Sequence, residues 1–344
     1  MPAARPVPCL VGGKRASSPA LSWRVRSALR VGRTCRACRY RQKRNTCGIA
    51  AQPVDAKQQP LQASEGLHRA PPAPTPARMP TSHVTQAVLI EGPDAVAFAH
   101  SQFASQVTAL ANGQWQFSSW LDAQGRVRNV FHLARIGDER LMVILRGGNA
   151  TDFIDALRRF VFRSRVKLIA VDGSLAGGEA MPMHHVDVHD DVVRLGCGTH
   201  AMLFGAHVGN NETWRLQQLR AGWPWLPDAS LNDMLPPALS LHRLGAVAID
   251  KGCYPGQEIV ARLHYRGGNK RHLHHVVLSE AVEDGSLLHH EGRKFVQLLG
   301  VIAQDERVEA LAVISDEDAN NIAQHTEIIS DEKITMHLLT GWPD

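Results

Sequence analysis

The segment Leu244–Arg271 reads LGAVAIDKGCYPGQEIVARLHYRGGNKR and holds the most distinctive pattern of the chain. At its centre Cys253 is followed by Tyr254-Pro255-Gly256, which favours a tight turn with Pro at the second position and Gly at the third. Such a turn would hold the thiol at a fixed corner. The residues leave three roles open for Cys253: a nucleophile, a ligand, or a small buried side chain.

Basic residues surround a double glycine at the end of the same segment. The pattern around Gly267-Gly268 predicts a strand, a turn and a second strand. Charge and exposed N–H groups in such a loop can hold a carboxylate or phosphate, although a solvated basic hairpin would look the same. The basic residues are Arg262, Arg266, Lys270 and Arg271.

The charge of the chain is divided unevenly. The formal net charge is +5, but residues 1–54 contain twelve Lys or Arg and no acid, so the rest of the chain carries about −7. Residues 1–78 also hold ten of the nineteen prolines. This composition predicts a disordered tail over residues 1–78, because it cannot bury enough apolar surface to offset the entropy of ordering.

Three interpretations of this basic tail stay open. It has the composition of an organellar transit peptide, which would imply the mitochondrial matrix; it could contact nucleic-acid phosphates; or it is upstream sequence attached by a wrong start codon. The position of Met79, just before the first patterned segment, favours the last of these. The negative remainder of the chain predicts no direct binding of nucleic acid by the body.

Cysteine usage and hydropathy predict a cytoplasmic protein. Four of the six cysteines lie in the tail, and Cys197 and Cys253 in the body are too few for a disulfide framework. No stretch approaches eighteen consecutive apolar residues, so no membrane span is expected. The histidine pairs of the body lack metal-ligand spacing, and we predict solvated positions for them and no metal site.

The body from Val84 predicts mixed α and β structure. A short strand turns at Gly92 into a helix, and successive antiparallel strands follow between Trp115 and Leu145. Helices are expected over residues 151–165 and 214–221, and short strands after residue 271 favour a small β-barrel or sandwich. Gly196-Cys197-Gly198 begins a weak match to a dinucleotide fingerprint, for which a plain strand-to-helix turn is the simpler interpretation.

The Leu244–Arg271 segment resembles the signature of the YgfZ family, relatives of the glycine-cleavage T-protein (GcvT). Its core is Lys251-Gly-Cys-Tyr-Pro-Gly-Gln-Glu258, and weaker matches are IEGPDAVAFAHSQFASQV, LDAQGRV and LRAGWPWL. The resemblance covers residues 79–344. It implies an α+β fold, with a T-protein-like folate-binding domain over residues 79–262 and a C-terminal β-barrel over residues 263–344.

The resemblance also implies a function and a set of site residues. Family members bind tetrahydrofolate and assist the assembly or repair of iron-sulfur proteins, among them a tRNA-modifying methylthiotransferase. Cys253 would be the functional thiol, and the partners would be folate and iron-sulfur client proteins. The cofactor-binding residues implied are Lys251, Tyr254, Gly256, Gln257, Glu258, Arg262, Arg266, Lys270 and Arg271.

Two departures from the T-protein pattern argue against aminomethyl transfer. Where the T-protein reads G-x-V-D-D-L, this chain has Arg128-Asn129, and where it reads R-x-E-A-G-x-P, Arg220 replaces the acid. Losing carboxylates near the reactive folate nitrogen would slow transfer by orders of magnitude. A folate-dependent one-carbon transferase, using Asp122 and Glu258, remains the alternative.

One further departure concerns the family's own pattern. Relatives read P-Q-x-x-N-L before the motif, and this chain has Pro237 and Ser240 in place of the two amides. If those amides contact the pterin, folate affinity here would be weaker by roughly 1 to 3 kcal/mol for each lost buried hydrogen bond.

Overall fold

The computed structural model describes residues 83–325 and 328–342. The predicted disordered tail, residues 1–78, therefore lies outside the described residues. The described part contains two antiparallel sheets and five α-helices, which confirms the mixed α and β prediction.

The first sheet has eight strands, and every neighbouring pair in it is antiparallel. Their order across the sheet is β2-β3-β4-β1-β5-β8-β7-β6. The predicted succession of antiparallel strands after Trp115 is thereby confirmed. The strands are β1 His83–Glu91, β2 Gln114–Leu121, β3 Val127–Gly137, β4 Arg140–Leu145, β5 Lys167–Gly178, β6 Val186–His189, β7 Val192–Gly196 and β8 Ala201–Gly205.

Two helices pack on this sheet around an aromatic core. They are α1 Ala95–Gln102 and α2 Ala150–Arg158, and the Asn149 side chain caps α2 by accepting a hydrogen bond from the Asp152 N–H at 2.8 Å. Phe103, Phe131 and Phe153 meet in the core with ring centroids 4.8 to 6.1 Å apart. Helix α2 is shorter than the predicted 151–165 because Arg159 begins an irregular connection.

The chain then passes through two helices to a second sheet. They are α3 Thr213–Arg220, close to its predicted position, and α4 Gln257–Arg266, which directly follows the Cys253 motif. The predicted strand over His264–Arg266 is wrong, because these residues complete the last turn of α4 and Gly267 ends the helix with a positive φ of 66°.

The second sheet has six antiparallel strands, in the order β10-β11-β12-β9-β14-β13. Its apolar face packs against α5, Asp316–His325. The Asp331 N–H donates to the His289 carbonyl at 2.8 Å, so a turn joins the two ends of the sheet without a strand ladder, and closure into a barrel is not confirmed. The strands are β9 Arg271–Leu278, β10 Leu287–His290, β11 Arg293–Gln304, β12 Arg307–Ser315, β13 Ile328–Ile329 and β14 Thr335–Trp342.

The segment that begins at Gly196 is a hairpin. Strands β7 and β8 pair antiparallel across Cys197–His200, and Gly198 has a φ of 80°. Neither the dinucleotide fingerprint nor the strand-to-helix turn is therefore present. The predicted domain boundary near Arg262 lies within α4 and stays a prediction.

Candidate functional site

The cysteine motif forms the tight turn that its sequence predicts. Gly256 has φ 80° and ψ 0°, and the Gln257 N–H donates to the Tyr254 carbonyl at 3.2 Å, which is a type II turn with Pro255 at its second position. Helix α4 begins at the next residue. The turn and the helix start together fix the direction in which the chain leaves Cys253.

This turn packs directly on the β2–β3 connection. A Cβ atom on Gly256 would lie 2.5 Å from the Asp122 carbonyl oxygen, and one on Gly125 would lie 2.9 Å from the Ile259 Cβ. Only glycine fits at either position, because both also have a positive φ. Two segments far apart in sequence, the Asp122–Gly125 turn and the cysteine motif, are thereby held together.

Cys253 is exposed, so a role as a small buried side chain is wrong for it. The buried cysteine of the described residues is Cys197, whose thiol donates to the Leu195 carbonyl. Burial raises the pKa of Cys197 to about 12, which makes that thiol unreactive. Accessibility therefore separates the two thiols.

Lys251 is buried and its ammonium group is fully used within the protein. It donates to the carbonyl oxygens of His100 at 2.5 Å, Phe103 at 2.7 Å and Ser105 at 2.9 Å, at the end of α1. Burial lowers its pKa to about 8, while the three carbonyls favour the charged form. With three donors and three acceptors, Lys251 has no hydrogen bond left for a ligand.

Tyr254 and Gln257 also bond within the motif. The Tyr254 hydroxyl donates to the Ala248 carbonyl at 2.9 Å, and the Gln257 amide donates to the Lys251 carbonyl at 3.0 Å. Burial raises the pKa of Tyr254 to about 12. These contacts make the motif a rigid loop from which Cys253 projects.

The charged residues of the predicted cofactor site lie on the surface around α4. All five are exposed, and none lines a described cavity. Glu258, Arg262 and Arg266 lie four residues apart on one face of α4, and the other two follow the helix in the chain, while Lys251 is buried against the end of α1. The five are Glu258, Arg262, Arg266, Lys270 and Arg271.

A separate cavity of about 490 Å³ lies between α3, the β4–α2 connection and the second sheet. Trp214, Trp223 and Trp225 line it, together with Arg146 and Gln218, and we call it the tryptophan cavity. On its other side are Gly300 and Ile302 of β11. A cavity of this size, with aromatic walls and several polar side chains, lies within the range of small-molecule sites.

Arg146 anchors this cavity. Its guanidinium group is buried and donates to the Gln218 side chain at 2.7 Å, to the Pro224 carbonyl at 2.9 Å and to the Trp223 carbonyl at 2.9 Å. It also lies 4.8 Å from the ring centroid of Trp225. Burial lowers the pKa of Arg146 to about 9. The arginine therefore holds the LRAGWPWL segment in place.

A smaller cavity of about 370 Å³ shares Gly148, Asn149 and Asp228 with the tryptophan cavity. Arg128 and Asn129, which replace the T-protein carboxylates, line it. The Arg128 guanidinium lies 5.0 Å from the centroid of the Trp120 ring, and the buried indole N–H of Trp120 has no hydrogen-bond partner among the described residues.

Arg220, which stands where the T-protein pattern has an acid, connects two elements of the fold. It forms two hydrogen bonds to the Glu309 carboxylate, at 2.6 and 2.9 Å, and so connects α3 to β12. His275 contacts the same buried carboxylate at 2.8 Å. Hydrogen bonds from Arg220 first, and from His275, lower the pKa of Glu309 to about 2. The prediction of a solvated position is therefore wrong for His275.

The two lost amide positions have different surroundings. Pro237 lines a third cavity, of about 900 Å³. The hydroxyl of Ser240 donates to the Trp342 carbonyl at 2.5 Å, and Ser240 has a φ of 51°, a conformation that asparagine adopts more readily than serine. Ser240 thus contacts the neighbouring strand β14.

Sequence reasoning missed the cavity residues Arg146, Trp214 and Trp225. The tryptophans stand around the LRAGWPWL segment, and their density there is a signal that could have been used. Arg146 gave no local signal. Its role follows from contacts to residues 72 to 78 positions away.

Within residues 83–325 and 328–342, no group of three or more His, Cys, Asp or Glu side chains could hold a metal ion. In those ranges, no helix has the length and hydropathy needed to cross a membrane.

Related proteins are found among bacteria, although no protein-family model matches the chain. It is 28% identical over 193 residues to an uncharacterized protein of Haemophilus influenzae, covering 54% of this chain and 68% of that protein. It is 26% identical over 220 residues to the tRNA-modifying protein YgfZ of Photorhabdus laumondii, covering 54% and 67%. The YgfZ protein of Aliivibrio fischeri is 27% identical over 209 residues, covering 53% and 65%. The chain thus spans about two thirds of the length of these relatives.

The fold is similar to that of a solved T-protein. The structure of the glycine cleavage system aminomethyltransferase T from Bartonella henselae superimposes with a TM-score of 0.54, covering 75% of this chain and 83% of that chain at 15% identity. This likeness shows the fold alone. The chain is therefore similar in sequence to proteins named YgfZ and in fold to a T-protein.

Proposed function

We propose that the protein is a folate-binding accessory factor for the assembly or repair of iron-sulfur proteins, including enzymes that modify tRNA. The tryptophan cavity is the observation that carries this proposal. It forms between α3 and the β4–α2 connection, beside the positions where the T-protein pattern has carboxylates. The relatives named tRNA-modifying protein YgfZ support the tRNA link.

The residues of the tryptophan cavity fit the pterin end of tetrahydrofolate. A flat heterocycle matches walls made of Trp214, Trp223 and Trp225, which can stack on its faces. The indole N–H of Trp120, in the adjoining smaller cavity, is a buried donor in need of an acceptor. Tetrahydrofolate, when bound, carries one-carbon units; Arg146 and Gln218 would hold the walls around it.

The residues at the positions of the T-protein carboxylates support binding without transfer. Arg128 and Asn129 present no carboxylate, and Arg220 is committed to Glu309. Asp122 is also committed, since one of its carboxylate oxygens accepts hydrogen bonds from the N–H groups of Gln124 and Arg126. Glu258 lies on the surface of α4. We therefore assign the protein no conventional turnover.

The exposed thiol of Cys253 is the proposed point of contact with client proteins. It projects from a loop that Lys251, Tyr254 and Gln257 make rigid. A reactive thiol or a transient cluster ligand has to be accessible, and Cys253 is. Iron-sulfur clusters are cargo in this proposal, held by the client.

The first experiment is calorimetric titration of the full chain with tetrahydrofolate under anaerobic, reducing conditions. We expect micromolar binding to the wild type and at least about tenfold weaker binding to Trp225→Leu, because stacking on an aromatic wall is lost. Phe162→Leu is the matched control, since Phe162 is 86% exposed and lines no described cavity; its affinity should equal that of the wild type.

Other outcomes decide against parts of the proposal. Absence of binding to the wild type would refute folate recognition. Equal binding by Trp225→Leu and the wild type would place folate elsewhere. Steady turnover of methylene- or methyl-tetrahydrofolate by the purified protein would favour the one-carbon transferase alternative.

The bacterial relatives support a cytoplasmic location over a mitochondrial one. The division at Arg262 and the interpretation of residues 1–78 stay predictions.

A further inference from the structure

A third cavity lies beside the cysteine motif and shares no lining residue with the tryptophan cavity. Its volume is about 900 Å³, within the range of small-molecule sites. It is bounded by the segment that leads into the motif, by the end of α4 and by the first residues of β9. We call it the motif cavity; its lining residues include Gln106, Gln116, Arg243, Asp250, His264 and His272.

The lining of the motif cavity favours an anion. One guanidinium and three imidazoles face it, those of Arg243, His242, His264 and His272, against the single carboxylate of Asp250. His272 also contacts the Asp316 carboxylate at 3.3 Å. Among the residues that line the motif cavity, only Arg243 carries a permanent positive charge.

Arg243 is held in position before any ligand arrives. One of its terminal nitrogens donates to the Gly222 carbonyl at 2.8 Å, and the guanidinium group lies 5.1 Å from the Trp342 ring centroid. No hydrogen bond within the described residues uses its remaining N–H groups. A guanidinium fixed in this way can bind a carboxylate or phosphate with two parallel hydrogen bonds.

Main-chain donors at the rim add to this preference. The N–H groups of Gly268 and Asn269 make no hydrogen bond within the described ranges, and both residues line the cavity. A Cβ atom on Gly268 would have no neighbour within 4 Å, so the loop leaves open space there. Successive free N–H groups in a glycine-rich loop are suited to an oxyanion.

Apart from Gln106 and Gln116, the rest of the lining is apolar. Pro237, Val247, Ile249 and Leu263 supply it, and Val247 is 6% exposed. A purely ionic ligand such as sulfate would leave this surface uncovered. We infer that the motif cavity is a second ligand site, for a small organic acid with an apolar body and one carboxylate or phosphate group held by Arg243 and the Gly268–Asn269 loop.

Three probes with one apolar body test this inference: benzoate, phenyl phosphate and benzyl alcohol, titrated into the full chain and followed by amide NMR shifts. We expect the two anions to bind about tenfold or more tightly than the neutral alcohol and to shift the 242–250 and 267–272 amides. The tighter of the two anions identifies carboxylate or phosphate as the ligand group. Equal binding of all three probes would overturn the inference.

Two variants and one control test whether the anions bind in the motif cavity. Arg243→Gln should remove the preference for anions, and His264→Gln, at an exposed position that does not threaten folding, should weaken anion binding by about threefold. The matched control is Arg262→Gln, an exposed arginine of α4 outside the cavity, which should bind like the wild type. A loss in Arg262→Gln as large as that in Arg243→Gln would show general charge attraction and refute the site.

Tetrahydrofolate titration of the same variants separates this inference from the proposed function. Arg243→Gln should keep wild-type folate affinity, and Trp225→Leu should keep wild-type benzoate affinity. If Arg243→Gln loses folate binding and Trp225→Leu does not, the motif cavity is the folate site and the second-site inference is wrong.

Discussion

Lys251 and Cys253 lie two positions apart in the motif and have opposite environments. Lys251 is 7% exposed and bonded to three carbonyls, whereas Cys253 is exposed. Lys251 therefore belongs to a part of the motif that stabilises the structure, and Cys253 belongs to a part that is accessible to other molecules. Residues that a sequence motif groups together therefore need not share a role. Three substitutions in the motif test this division, and a fourth, outside the motif, is compared with them.

The largest effect is expected for Lys251→Met. The change keeps the apolar length of the side chain but leaves three buried carbonyl groups without their donor, which should cost about 3 kcal/mol of the free energy of unfolding. Urea denaturation at pH 7 measures it. A loss below about 0.5 kcal/mol would show that Lys251 is dispensable for folding and available for a ligand after all.

The second effect concerns the turn that follows Cys253. Gly256→Ala would place a Cβ atom 2.5 Å from the Asp122 carbonyl at a φ of 80°, and we expect about 2 kcal/mol of destabilisation in urea denaturation. Gly252→Ala is the control, because no atom lies within 4 Å of a Cβ there and its φ is not positive. Similar losses in both variants would contradict a specific packing role for Gly256.

The third prediction concerns the ion pair between Arg220 and Glu309, which lies outside the motif. Arg220→Ala should cost about 1 to 2 kcal/mol at pH 7, because the buried carboxylate of Glu309 loses its bidentate partner. The folded pKa of Glu309, about 2, lies below its ordinary value of 4.5, so this stabilisation is present above pH 4.5 and is lost as the pH falls toward 2. If the difference in the free energy of unfolding between Arg220→Ala and the wild type does not narrow as the pH falls from 4.5 toward 2, the stabilisation is not ionic.

The smallest effect on stability is expected for Cys253→Ala, below about 0.5 kcal/mol, because the side chain is exposed. The same variant should fail to complement a strain that lacks the protein. In native protein a thiol reagent should label Cys253 and leave Cys197 unlabelled. Full complementation would refute the role of the thiol.

The local features of the motif follow from its sequence. Pro255 and Gly256 require a type II turn because proline fixes φ near −65° and glycine alone takes a positive φ without strain. The succession of strands after Trp115 and the position of α3 follow from short-range periodicity and breakers in the same way. The end of α4 was predicted wrongly, because the exposed residues His264–Arg266 continue the helix up to Gly267 and do not form a strand.

Which charged residues of the motif region are buried and which are exposed depends on the tertiary structure. Lys251 and Arg262 are both cations near Cys253, but Lys251 meets the end of α1, about 150 positions away, and Arg262 faces solvent. Likewise, Arg146 bonds to Gln218 and Arg220 bonds to Glu309, and both partners lie on elements distant in sequence. Burial and hydrogen bonding depend on contacts between distant segments, and no local pattern in the sequence contains them.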